Sequence, residues 1–223
     1  MNGLLHAVIG TPDSDQMHIL GQAFETNDLD SAFYLLPQKL SQTELPFHLW
    51  TWHQNSFSFE TPVDRMPREW FLFFSNQINI ADQIEGLIRL IEIEKKLLIG
   101  RILFFVNANY LSESKEILEW MDGCTHFADA TCYTNRGNKN GLKVNFFIER
   151  YKSLHFPLEV FLLKKHKKTS LSKILSPSTR RISHVFDPPD LLEPDESPLK
   201  DPYLERLKNG NRKQPIPIPF AEN

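Results

Sequence analysis

The stretch AVIGTPDSDQM, from Ala7 to Met17, joins a short apolar run to a glycine and then to a polar loop. Ala, Val and Ile before a glycine read as the end of a strand, and Gly10 supplies a turn free of any Cβ penalty. The polar residues that follow lead toward a helix. This is the layout of the entrance to a nucleotide-binding site. Yet Asp13 and Asp15 place two negative charges where phosphates would sit.

Outward from this stretch, similar apolar runs recur. LLHAVIG (4–10), WFLFFS (70–75), RILFFVNA (101–108), ATCYTN (130–135) and PLEVFLL (157–163) read as strands. Most are near-continuous rather than alternating, as strands buried on both faces are. Helical patterns lie between them. Residues 82–98 place Ile84, Leu87, Ile88 and Ile91 at steps of three and four, and 112–121 and 143–154 are shorter candidates with Ser112 in a cap region. FHLWTWHQNSFSFE (47–60) predicts a hairpin or sheet edge. Strand–helix alternation of this kind predicts a three-layer α/β fold with a mostly parallel sheet.

The chain has 223 residues, enough for one such domain. A formal net charge of −3 gives no global case for nucleic acid or an anionic membrane. Two cysteines, Cys124 and Cys132, make no disulfide framework and suit a reducing cytosol. The opening MNGLLHAVIG has no basic n-region, and no stretch approaches the ~20 apolar residues of a membrane span. A cytoplasmic location is the expectation.

Composition changes near residue 170. Nine of the 15 prolines lie at or beyond Pro177, which predicts a domain over 1–169 and an extended C-terminal tail over 170–223 that wraps the domain or stays mobile. Residues 160–186 carry seven Lys or Arg (Lys164, Lys165, Lys167, Lys168, Lys173, Arg180 and Arg181) and no acid. Residues 187–206 carry seven acids against Lys200 and Arg206. The expectation is that the acidic tail masks the basic segment, using apolar anchors such as Leu191, Leu192, Tyr203, Leu204, Ile216 and Phe220. The intact chain then has little nucleic-acid affinity.

An active phosphate loop reads G-x-x-x-x-G-K-[S/T]. Its backbone N–H groups surround the phosphates, its lysine neutralises them and its hydroxyl holds Mg²⁺. Laid on this chain from Gly10, the second glycine is Asp15, the lysine is Gln16 and the hydroxyl residue is Met17.

With the strand order and loop placement included, the chain from Leu4 to Leu163 resembles the CobW/HypB/UreG class of P-loop GTPases, CobW-like proteins in particular. GTPDSDQMHIL stands in place of that class's GxxGxGKT loop. FLFFSNQINIADQI (71–84) resembles the strand that precedes its acid–Ser/Thr–Ser–Gly signature. RILFFVNANYL resembles the strand ending Val-Val-Asp-Ala, with Asn107 for the aspartate. HFADATCYTNRGN resembles the strand ending in the guanine-reading Asn-Lys-x-Asp, with Asn135 for the asparagine, Arg136 for the lysine and Asn138 for the aspartate. RRISHVFD (180–187) resembles a feature of an uncharacterised CobW-like subgroup. The class's Cys-x-Cys-Cys metal motif is absent, so its metal role does not carry over. An amide at Asn138 presents a donor where the guanine-reading carboxylate accepts, which puts guanine specificity in doubt.

The resemblance implies a vestigial nucleotide site at Gly10, Gln16, Met17, Asn135 and Asn138, with no catalytic or metal residue. Like charges ~5 Å apart repel by about 3 kcal/mol at an effective dielectric of 20, which sets Asp13 and Asp15 against a triphosphate. The expectation is a degenerate GTPase acting as a non-enzymatic binding or regulatory protein with a protein partner, no membrane and no cofactor. The alternative is a working GTP- or ATP-binding NTPase, using Mg²⁺, whose cation comes from Lys164 or Arg136. Other residues read as structural. His48 and His53 fall on opposite strand faces, Cys124 and His126 share a strand face without completing a zinc site, and Cys132 is a small core residue. Asp82 and Glu85 read as solvated helix positions. Trp50, Trp52, Phe57 and Phe59 read as an edge strand packed on the core. The KKHKK run (164–168) reads as a solvated or acid-paired turn.

Overall fold

The computed structural model describes residues 2–21, 32–37, 47–60, 67–164, 171–176, 178–187 and 201–221. Lys165, Lys167, Lys168, Leu191, Leu192 and the acids between 190 and 196 fall outside them, so their predicted roles are not addressed by the structure.

Eight strands form a single sheet: β1 (Gly3–Gly10), β2 (Ala32–Pro37), β3 (His48–His53), β4 (Ser56–Ser58), β5 (Glu69–Phe73), β6 (Leu97–Asn107), β7 (Ala130–Thr134) and β8 (Glu159–Leu162). Their order is β4-β3-β2-β5-β1-β6-β7-β8. All pairings are parallel except β3 with β4. That hairpin turns at Gln54 and Asn55, both at positive φ (50° and 58°), the backbone a tight two-residue β-turn requires.

Alternation along the strands divides the core between two faces. Leu5, Ala7 and Ile9 of β1, Leu72 of β5 and Phe104 and Val106 of β6 pack under helices α2 (Ile80–Ile93), α3 (Lys115–Phe127) and α4 (Gly141–Ser153). Val8, Phe71, Phe73, Leu103, Phe105 and Cys132 face the other way, with Leu20 of α1 (Gln16–Gly21) and Ile174 of α5 (Leu171–Ile174). Helices thus cover both faces, and the fold is the three-layer α/β arrangement that the alternating runs predict.

Several expectations are corrected. β2 is a strand that the sequence reading leaves out. The helix expected over 82–98 ends at Ile93, and Leu97 and Leu98 already belong to β6. Cys124 and His126 lie on helix α3, not on a strand. The aromatic residues of β3 and β4 are core, as read: Trp52 meets the Phe57 ring at 4.9 Å and sits against Gly86 of α2.

Asp82 and Glu85 are half-buried and paired, where the sequence reads them as ordinary solvated positions. Both bind Arg206 and Arg212 from the C-terminal segment, with Arg212 Nη1 2.6 Å from Glu85 and Arg206 Nη2 3.0 Å from it. At α2, bases of the tail meet acids of the domain, a pairing the sequence reading does not include. In the basic segment, Arg181 bridges buried Asp129 of the domain (3.2 Å) and Asp187, the first acid of the acidic segment (2.7 Å), and on β6 Arg101 reaches Glu159 at 3.0 Å. The RRISHVFD run thereby clamps the turn before β7. Ser183 adds a bond to Asp201 (2.6 Å), which also holds His126 at 2.7 Å.

Candidate functional site at the strand ends

Three loops meet at the carboxyl ends of the central strands. They follow β1 (residues 11–15), β6 (the 3₁₀ turn Ala108–Tyr110) and β7 (residues 135–140). β1 lies between β5 and β6, and the chain crosses to opposite sides of it, so the loops flank a topological switch point, the usual ligand position of open α/β sheets.

The loop after β1 follows the path read from the sequence, from Gly10 at the strand end to Gln16 at the helix start. Asp13 and Asp15 both adopt positive φ, 50° and 56°. Left-handed backbone is uncommon outside glycine, although Asp tolerates it better than most residues. Asp15 thus takes the conformation that a glycine would adopt at this point without strain.

The loop is tied down from all sides. The Thr11 amide donates to the Phe105 carbonyl (3.0 Å), and the Thr11 hydroxyl accepts the Asn107 amide (2.7 Å). The Asn107 side-chain amide donates to the Asp13 carbonyl at 2.9 Å, and the Asn135 amide donates to the same oxygen at 3.1 Å. The Tyr110 hydroxyl reaches the Asp13 carboxylate at 3.3 Å. Burial, followed by the Asp13 charge, raises the Tyr110 phenol above its ordinary pKa. Farther along, Asn140 donates to Asn109 at 2.6 Å, joining the second and third loops.

In front of Gly10 the space is filled. A Cβ there would collide with Gln16 Oε1 and meet Ser14 Oγ at 2.8 Å. Both oxygens are buried and make no hydrogen bond among the described residues. The residue at the lysine position therefore folds back on the strand end. Met17, at the hydroxyl position, packs into the apolar layer beneath.

Of the residues singled out from sequence, Gly10, Gln16 and Asn135 come together at this cluster. Met17 is half-buried against the apolar layer, and Asn138 is exposed on the next turn. Arg136 is also exposed there. Lys164 lines a cavity of about 10 Å³ with Asp15, His18, Thr134 and Asn135, room for roughly one water. Tyr110 and Thr11 are partners that the sequence reading missed. Thr11 directly follows the strand glycine, a position from which a hydroxyl reaches a neighbouring strand end, but nothing local marks Tyr110.

The residues present do not fit a Mg²⁺-bound triphosphate. The loop supplies two carboxylates, a thioether in place of a hydroxyl and a neutral amide in place of a lysine. Among the described residues there is no group of three or more His, Cys, Asp or Glu that could hold a metal ion. No helix among them is long and apolar enough to cross a membrane.

No family model matches the chain, and no curated protein matches it. Among solved structures, the zinc-bound YjiA GTPase from E. coli superposes with a TM-score of 0.52 at 8% sequence identity. The match covers 81% of this chain and 63% of that one, so the chain spans less than two thirds of that structure's length. The likeness shows the fold: a mostly parallel, three-layer α/β sheet arranged like that GTPase's.

Proposed function

We propose that this protein is a non-enzymatic binding or regulatory protein built on a CobW-like GTPase fold. The observation that carries the reading is the self-bonding of the loop after β1. The Asp13 carbonyl accepts amides from the ends of both β6 and β7. A phosphate loop works by presenting free backbone N–H groups and a cation to an anion. This loop instead joins three strand ends to one another and turns acids outward. Phosphoryl transfer depends on positioning and charge neutralisation, and the loop is equipped for neither.

One observation favours a second reading, a working NTPase with an unusual cation. Lys164 lies beside Asp15 and Asn135 at the edge of the same cluster. Phosphate release from GTP and from ATP, with and without Mg²⁺, separates the two. The non-enzymatic reading predicts release no faster than in protein-free buffer. Sustained release that Lys164→Ala abolishes would establish the second reading instead.

A further inference from the structure

The C-terminal segment 201–221 runs along α2 and α3 and is fixed at four places. Asp201 sits against His126 at the end of α3, 2.7 Å away. Arg206 and Arg212 grip Asp82 and Glu85 on α2. The Ile216 carbonyl accepts the Asn79 side-chain amide at 2.6 Å, and its side chain lies 2.6 Å from where a Cβ on Gly123 would project. Gly123 therefore makes the seat for Ile216.

The fourth contact lies at the strand ends. Phe220 packs edge-on against Trp120 (5.0 Å, 87°) and against Tyr110 (5.4 Å, 80°). Tyr110 is the residue whose hydroxyl reaches Asp13. Asp13 is the left-handed residue on which Asn107 and Asn135 converge. A contiguous set of contacts thus runs from the end of the segment to the centre of the candidate site.

We infer that residues 201–221 form an intramolecular strap whose terminal aromatic, Phe220, holds Tyr110 in place and through it orders the loop over residues 11–15. Docking of the strap and order in the loop are then two aspects of one equilibrium. Linkage is reciprocal, so a partner that pulls the strap away loosens the loop, and anything that reorganises the loop weakens the strap. The strap gives the regulatory reading a physical device. The coupling itself rests only on contacts within the chain and does not depend on whether a nucleotide binds.

Amide hydrogen exchange on the full chain tests the coupling without any ligand, so its failure is distinct from failure of the proposed function. Phe220→Ala should speed exchange of residues 11–16 by roughly two- to ten-fold, the span that one edge-to-face aromatic pair supports. Amides at the centres of β1 and β6 should be unchanged. Tyr110→Phe should speed the same loop and, by the reciprocal linkage, also speed exchange at 215–221, while the ion-paired stretch 201–212 stays docked. The double variant should add little to the larger single effect, because both act through one contact. If Phe220→Ala loosens only 215–221 and leaves the loop unaltered, the inference is overturned. Should that variant fail to fold, Tyr110→Phe decides alone: faster exchange in both the loop and 215–221 supports the strap, and an unchanged loop, or an unchanged 215–221 beside a loosened loop, refutes it.

Discussion

The side-chain amide of Asn107 donates to the main-chain carbonyl of Asp13 at 2.9 Å, joining the end of β6 to the loop after β1. An aspartate in that place has no donor to offer and would turn a carboxylate toward a carbonyl oxygen. Asn107 is 3% exposed, so solvent cannot restore the bond. Asn107→Asp is predicted to destabilise the fold by about 1–3 kcal/mol, measured by denaturant unfolding. An unchanged unfolding midpoint would show that the amide bond contributes nothing to holding the loop.

Gly10 is held to glycine by its neighbours. Gly10→Ala should cost about 1–3 kcal/mol, because a Cβ meets Gln16 Oε1 and Ser14 Oγ. Gln16→Ala in the same chain should recover part of that loss. If thermal unfolding shows the double variant no more stable than Gly10→Ala, then Gln16 does not occupy this space in solution.

Charge holds the middle of the strap. Arg212→Ala leaves Asp82 and Glu85 sharing only Arg206, and should cost about 1–2 kcal/mol once the solvent around Asp82 is allowed for. Limited proteolysis should then cut within 201–221 faster than in the parent chain. Equal cutting rates would place the docking energy in Tyr203, Ile216 and Phe220 instead.

Acid should release the strap. Burial pushes the Asp201 carboxyl up, but bonds from His126 and Ser183 outweigh it, and the net pKa lies below the ordinary 3.8. Glu85 is likewise lowered from 4.5, with burial opposed by Arg212 and Arg206. A folded-state pKa below the unfolded value contributes stability that is complete above the unfolded pKa. That stability is lost as pH falls through the folded one. Exchange or proteolysis of 201–221 should therefore stay constant from neutrality down to about pH 5 and rise below pH 4. A rise centred near pH 6 would point to a different group.

Both thiols should be inert in the folded protein. Burial pushes Cys132 up to about 12 against a smaller opposing effect of Arg101, and burial raises Cys124 well above its ordinary value. At pH 8 a thiol reagent should label neither until denaturant is added, and then both. Rapid native labelling of either one would contradict the packing around α3 and β7.

The central strands were legible because both faces of each are covered, so their apolar runs are continuous. The path of the loop after β1 was legible for a related reason: a glycine ending such a run marks a turn whatever follows. β2 was not, because AFYLLP is a short apolar run that local pattern cannot assign between strand and buried helix. The boundary between α2 and β6 was blurred because Leu97 and Leu98 continue the apolar composition of both. Proline content marked the tail as extended, but not where it would dock. Arg206 and Arg212 find acids more than 120 positions away, which the charge blocks that neighbour each other in sequence do not indicate. At the site, Gln16 could be placed by its spacing from Gly10 and Asn135 by the resemblance to a guanine-reading strand end, whereas Tyr110 enters only because a 3₁₀ turn aims it at Asp13.

On the proposed reading, the loop after β1 runs from strand to helix as a phosphate loop does but has no affinity for phosphates. Isothermal titration of the full chain with GTP and with ATP, each with and without Mg²⁺, tests it most directly. The account predicts no Mg²⁺-dependent binding tighter than about 1 mM, roughly −4 kcal/mol. Mg²⁺-dependent binding of either nucleotide in the micromolar range or tighter, about −8 kcal/mol, would contradict it.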